Sequence, residues 1–173
     1  MISQLGVEVA SLTTIATPHR GSPVADYLIN PGGVIHLPKL YGLISRTGLG
    51  TQAFEQLTTK YMVEEFNETI RDVEDTKYYS FGADMGEPGL FSTFRRSYKV
   101  IEKQEGGNDG LVSVESSRWG EYQGTLMGVS HLDLINWSNR VRWAMREVMG
   151  MRRNFNAVAF YLGVADMLAK EGH

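Results

Sequence analysis

Val7 to Ala16 reads VEVASLTTIA, and Thr17 to Ser22 continues as TPHRGS. The first stretch is rich in β-branched residues, and it is too short and too continuously apolar for an amphipathic helix. It reads as a buried strand of a parallel sheet, where both faces are covered and the sequence does not alternate. Thr17-Pro18 ends the strand in a loop. Ser22-Pro23 then has the form of a helix start, a capping hydroxyl followed by proline at the first helical position. The helix is expected to run to Ile29 and to stop at Asn30-Pro31-Gly32-Gly33.

The same alternation continues downstream. Tyr78 to Ala83 (YYSFGA) reads as a second strand, running into a turn around Gly86-Glu87-Pro88-Gly89. Gln123 to Val129 (QGTLMGV) reads as a third, followed at once by Ser130-His131. Residues 34–76 are helical in pattern, with Phe54, Leu57, Tyr61, Phe66 and Ile70 forming one apolar face. Phe91, Phe94, Tyr98 and Ile101 make a second such face, and the polar, glycine-rich Glu105 to Gly110 reads as a loop. From Asn154 to Lys170 a last helix carries Val158, Phe160, Tyr161, Val164, Met167 and Leu168, with Gly172 just beyond as its stop. Strands alternating with helices predict the α/β class, a parallel sheet flanked by helices.

The 173 residues suit one domain, or one piece of a domain, and contain no repeat or linker-like tract. A composition 42% hydrophobic and 21% charged is that of a globular protein and not of a disordered one. The net charge of −3 gives no reason to expect nucleic acid as a partner. Without cysteine the chain can form neither a disulfide nor a thiolate metal site, which fits an intracellular location. The amino terminus lacks the basic and apolar segments of a signal peptide. No apolar run approaches the roughly 18 residues of a membrane span.

In doubly wound sheets, functional groups sit in loops beyond the carboxyl ends of strands. His131 directly follows the third strand, and Asp109 stands upstream of it in the glycine-rich loop after Asn108. A carboxylate can orient an imidazole and stabilise its cation while the imidazole takes a proton from a serine. In α/β-hydrolases the acid precedes the histidine in the chain, as here. An aspartate in a turn and a histidine after a strand also occur for purely structural reasons.

Thr14 to Ser22 (TIATPHRGS), Asn108 to Ser113 (NDGLVS) and His131-Leu132-Asp133 together resemble the C-terminal part of the α/β-hydrolase serine lipases. These are the bacterial true lipases and their fungal relatives, among them mitochondrial triacylglycerol lipases. The resemblance extends over nearly the whole chain and implies one partial α/β-hydrolase domain, residues 1–173, that hydrolyses carboxylic esters such as acylglycerols. It makes Asp109 the triad acid and His131 the general base; His19, in the same motif, is read as a structural residue that fixes its loop, with direct catalysis as the alternative. It also implies a helical lid or cap-like insertion around residues 31–76, with the apolar Val34, Ile35, Leu37, Leu40, Leu43 and Ile44 in it; the alternative for this stretch is ordinary core helix. In the bacterial relatives a calcium ion ties the histidine loop to an earlier acid. Asp133 and Glu87 fall at those two positions, although Trp137 stands where a carbonyl side chain is expected. The alternative for Asp133 is an acid at a helix N-terminus.

The departure from the family concerns the nucleophile. No Gly-x-Ser-x-Gly elbow occurs in the chain: Ser130 lacks the following glycine and Ser22 has an adjacent, not a spaced, one. Met1-Ile2-Ser3 looks like the tail of the helix after the elbow, so the chain is expected to begin just after the nucleophile. By itself it should be inactive, should expose an apolar sheet edge, and should need the N-terminal half of the fold as partner. Other readings remain. The chain could be a non-catalytic module that binds lipid or a partner, or part of a phospholipase or acyltransferase, since a triad does not name the acyl acceptor. The mitochondrial relatives make that compartment one candidate location.

Overall fold

β1 forms at Ser11–Ile15, inside the β-branched run, and ends where Ala16 turns into the left-handed region at φ 47°. The computed structural model describes residues 8–30, 51–135 and 155–173, together with Pro38 and Gly42. Val34, Ile35, Leu37, Leu40, Leu43 and Ile44 of the expected lid, and Met1-Ile2-Ser3 and Trp137, lie outside these residues. β2 spans Lys77–Asp84 and β3 spans Glu121–Met127. All pairings are parallel, in the order β1-β2-β3, with Ile15 opposite Phe81 and Ala83 opposite Leu126. The register slips between Ser80 and Phe81, leaving one residue of β3 over between Tyr122 and Gly124.

α1 (Pro23–Ile29) starts as the sequence predicts: Ser22 Oγ accepts from the Val24 amide, and proline occupies the first turn. α2 (Thr51–Glu55) is followed by a π-helical segment at Tyr61–Phe66, which runs into the short α3 (Asn67–Thr69). The five-residue step from Tyr61 to Phe66 in the apolar pattern falls on that π-helical segment, whose bonds run from i to i+5. α4 covers Arg95–Glu105 and buries Tyr98 and Ile101. Phe91 does not belong to its face. The helix begins only after Phe94, and Phe91 stands in the preceding loop, 92% exposed.

α1 and α4 pack together, and Val24, Leu28, Phe94 and Ile101 form a core with Phe54, Met85, Leu111 and Leu132 against it. A second cluster joins Ala16, Ala83, Val129 and Leu134 with Ile15, Leu126 and Phe155. α5 (His131–Leu134) follows β3 after a turn at Gly128. α6 (Ala157–Lys170) sets Phe160 edge-on against Phe81. It ends with Gly172 at φ 87°, where the Gly172 and His173 amides bond back to the carbonyls of Ala169 and Leu168. Of its expected apolar face, Phe160, Val164, Met167 and Leu168 are half-buried, while Val158 and Tyr161 turn to solvent.

Candidate active site

The loop between α4 and β3 is built around two neighbouring buried side chains. Asn108 donates from Nδ2 to the carbonyls of Tyr98 (3.2 Å) and Gly106 (2.9 Å), and its Oδ1 accepts from the Gly110 amide at 3.0 Å. A buried amide with all these partners is a scaffold. Asp109, fully buried, accepts at Oδ1 from the amides of Leu111 (2.9 Å) and Val112 (2.8 Å). Gly110 completes the turn at φ 97°, and a Cβ there would stand 2.7 Å from that of Phe94. Only glycine suits this position.

The other oxygen of Asp109 meets His131. Its Oδ2 accepts from Nδ1 of His131 at 2.6 Å, and the His131 amide donates to the Asp109 carbonyl at 3.0 Å. His131 stands at the start of α5 because Ser130 caps that helix. Both the amide and the hydroxyl of Ser130 donate to Asp133 Oδ2, at 3.0 and 2.6 Å. This reciprocal box fixes the backbone from which the imidazole projects. Burial alone would make the His131 cation harder to form, but the charge and hydrogen bond of Asp109 overcome it and hold the pKa above its ordinary 6.5. With Nδ1–H given to the carboxylate, Nε2 is the nitrogen left for proton transfer, on a side chain 30% exposed.

Sequence reasoning pairs Asp109 with His131, and the fold brings them into contact. Asp133 serves the helix cap, and Glu87 sits exposed in the turn after β2. Among the described residues no group of three or more His, Cys, Asp or Glu side chains is placed to hold a metal ion. Both serines weighed as nucleophiles are engaged elsewhere. Ser22 Oγ donates to the Leu111 carbonyl at 2.5 Å, and Ser130 donates to Asp133.

His19 holds the loop after β1. Its Nε2 lies 2.9 Å from Thr14 Oγ1, its ring stacks on Trp119 at 5.1 Å, and its amide donates to the Ser116 carbonyl. Burial, then the neighbouring Arg20 charge, lower its pKa to about 4 against a smaller opposing effect of Asp72. Sequence reasoning misses the partners of this loop. Arg20 donates to the carbonyls of Glu115 (3.0 Å) and Arg118 (2.9 Å), and Ser116 Oγ donates to Gly21 O at 2.6 Å. The serine-rich run from Ser113 to Ser117 is the signal in the sequence that could have pointed to them.

No protein-family model matches the chain. Over 176 aligned positions, 99% of its length, it is 35% identical to triacylglycerol lipase 2 of Saccharomyces cerevisiae, and it spans about half (52%) of that relative. Among solved structures it is similar to Staphylococcus hyicus lipase, with a TM-score of 0.63 at 16% identity, over 98% of this chain and 62% of that one. The mature lipase BlEst2 of Bacillus licheniformis gives a TM-score of 0.58 at 23% identity, over 79% of this chain and 54% of that one. Lipase 1 of Pelosinus fermentans gives 0.58 at 17% identity, over 92% and 59%. At such identities these structures speak for the fold, while the yeast relative adds kinship in sequence. The chain therefore carries part of an α/β-hydrolase fold and is related along its whole length to a triacylglycerol lipase.

Proposed function

We propose that the chain supplies the acid and base of a carboxylic ester hydrolase that acts on acylglycerols. The observation that carries this reading is the 2.6 Å bond from His131 Nδ1 to Asp109 Oδ2, made by a carboxylate whose other oxygen is already fixed by two amides. His131 Nε2 takes the proton of a serine hydroxyl as its oxygen attacks the ester carbonyl carbon. The imidazolium, stabilised by Asp109, then protonates the departing alcohol. Water, activated by the same nitrogen, releases the carboxylic acid and restores the serine.

The serine comes from outside these 173 residues, which contain no Gly-x-Ser-x-Gly. Its natural source is the N-terminal half of the same fold, since this chain spans about half of its yeast relative. On this reading the chain has no ester hydrolysis by itself. The test is His131→Ala in the complete protein, which should lower kcat by about a thousandfold or more. A loss below about tenfold would refute the assignment. Ester turnover by the chain mixed with a serine-bearing half, but not by the chain alone, speaks against a non-catalytic lipid- or partner-binding module. A panel of triacylglycerol, phospholipid and acyl-acceptor substrates separates lipase from phospholipase and acyltransferase.

A further inference from the structure

The hydrogen bonds that lace the loop after β1 to the loop carrying Asp109 have no part in the chemistry proposed above, and one of them reaches the peptide that holds the acid. Leu111 donates its amide to Asp109 Oδ1 at 2.9 Å, and its carbonyl accepts from Ser22 Oγ at 2.5 Å. Ser22 is itself held. It is 6% exposed, and its Oγ accepts from the Val24 amide at 3.2 Å, which ties it to the N-terminus of α1. Gly21 before it turns at φ 80° so close to Thr58 and Thr59 that a Cβ would lie 2.5 Å from the Thr59 Cα. Further along, Ser116 accepts from the Arg20 amide at 3.1 Å and donates to the Gly21 carbonyl at 2.6 Å.

We propose that Ser22 is a positioning residue for Asp109: its hydroxyl, anchored on α1, fixes the Leu111 peptide and thereby the direction in which the carboxylate presents Oδ2 to His131. The hydroxyl gives its one proton to Leu111 and a lone pair to the capping amide, so the two bonds join the acid loop to α1 without competing. A shift of about 1 Å in a group that positions a reacting atom can cost about a hundredfold in rate. The closing motif residues of TPHRGS thus gain a role: Gly21 makes the turn and Ser22 carries its rigidity to the acid loop.

The inference rests on the catalytic reading of Asp109 and His131, but its first test needs no turnover. In Ser22→Gly the hydroxyl is lost while the N-cap keeps a residue nearly as good as serine there. Ser22→Thr keeps the hydroxyl, and Ser22→Cys keeps the volume with a weak donor. In the complex of this chain with its serine-bearing half, proton NMR of the His131 ring proton reads the bond to Asp109, and amide hydrogen exchange reads Leu111 and Val112. In Ser22→Gly the ring-proton signal should broaden or move upfield, and exchange at both amides should rise about tenfold, the equivalent of one lost hydrogen bond. Ser22→Thr should match the wild type, and Ser22→Cys should fall between. A glycine variant that merely melts lower, with both readouts unchanged, makes Ser22 a helix cap and overturns the proposal. So does a cysteine variant identical to wild type, should the glycine variant not fold. In the complete protein Ser22→Gly should lower kcat at unchanged KM. Moved NMR readouts with unchanged kcat would leave the positioning intact and count against the catalytic reading.

Discussion

Asp109, fully buried, divides its carboxylate between two roles. Oδ1 takes two amide hydrogen bonds, which fix the orientation of the group, and Oδ2 faces an imidazole that gains a proton more readily for its presence. Asp109→Asn should keep the loop but lower kcat of the complete protein about ten-thousandfold, because an amide cannot hold Nδ1–H as a carboxylate does. The pH profile supplies a second check. A base must be neutral to act, so kcat/KM should climb with pH through an inflection above 6.5, the ordinary histidine value that His131 exceeds. In Asp109→Asn the effects that raise the pKa are gone and burial remains, so the inflection should drop; an unmoved inflection would assign the titration to another group. His19 has the opposite sign. The fold holds its ring neutral down to about 4, whereas the unfolded chain protonates it near 6.5. As pH falls through that window the unfolded state binds a proton the fold refuses, and stability is lost. His19→Gln should flatten the fall in melting temperature between pH 6.5 and 4, and an equally steep fall in the variant would remove His19 as its cause.

Loops, and not the sheet, set the precision of the site, and each is fixed by a short-range device. The acid loop depends on the turn at Gly110, where φ is 97° and Phe94 fills the space a side chain would need. Gly110→Ala should therefore destabilise the chain by about 2 kcal/mol or more, read by denaturant unfolding; a loss within about 0.5 kcal/mol would show that the loop can relax. α5 depends on the Ser130–Asp133 box, and with Asp133 so engaged, melting curves of the complete protein in calcium and in chelator should coincide. Curves that separate would place a cation at Asp133. These devices differ in how far the sequence betrays them. Ser22-Pro23 marks the start of α1 because capping is decided within one turn, and Ser11–Ile15 reads as a strand because β-branched residues crowd together there. Phe91 misleads, since its three-residue spacing to Phe94 imitates a helix that begins only at Arg95. Asp109 and His131 are legible through their motifs and order. The bond from Ser22 to Leu111 is not, because it joins a hydroxyl to a carbonyl 89 positions away and leaves no periodic trace.

At the scale of the whole molecule, the described part of the fold has apolar surface without cover. β1 is the terminal strand in the order β1-β2-β3, and Leu12 on it is exposed. α6 turns Val158 (60% exposed) and Leu162 (66%) to solvent, although its other face packs Phe160 on the sheet. A strand edge with free backbone groups can pair with another chain, and exposed aliphatic residues add to the gain. Two outcomes compete, self-association and pairing with the serine-bearing half that the proposed chemistry requires. The second satisfies the backbone of β1 and completes the triad, so it should win when both halves are present. By itself the chain should leave a gel-filtration column as aggregates or oligomers; co-expressed with the N-terminal half of a related lipase, it should elute as a one-to-one complex with ester hydrolase activity. His131→Ala in that complex should abolish turnover and leave its elution unchanged, since the imidazole serves the chemistry and not the edge. A monodisperse, thermally stable monomer of the chain alone would mean that β1 and α6 need no complement. The source of the serine would then have to be sought elsewhere.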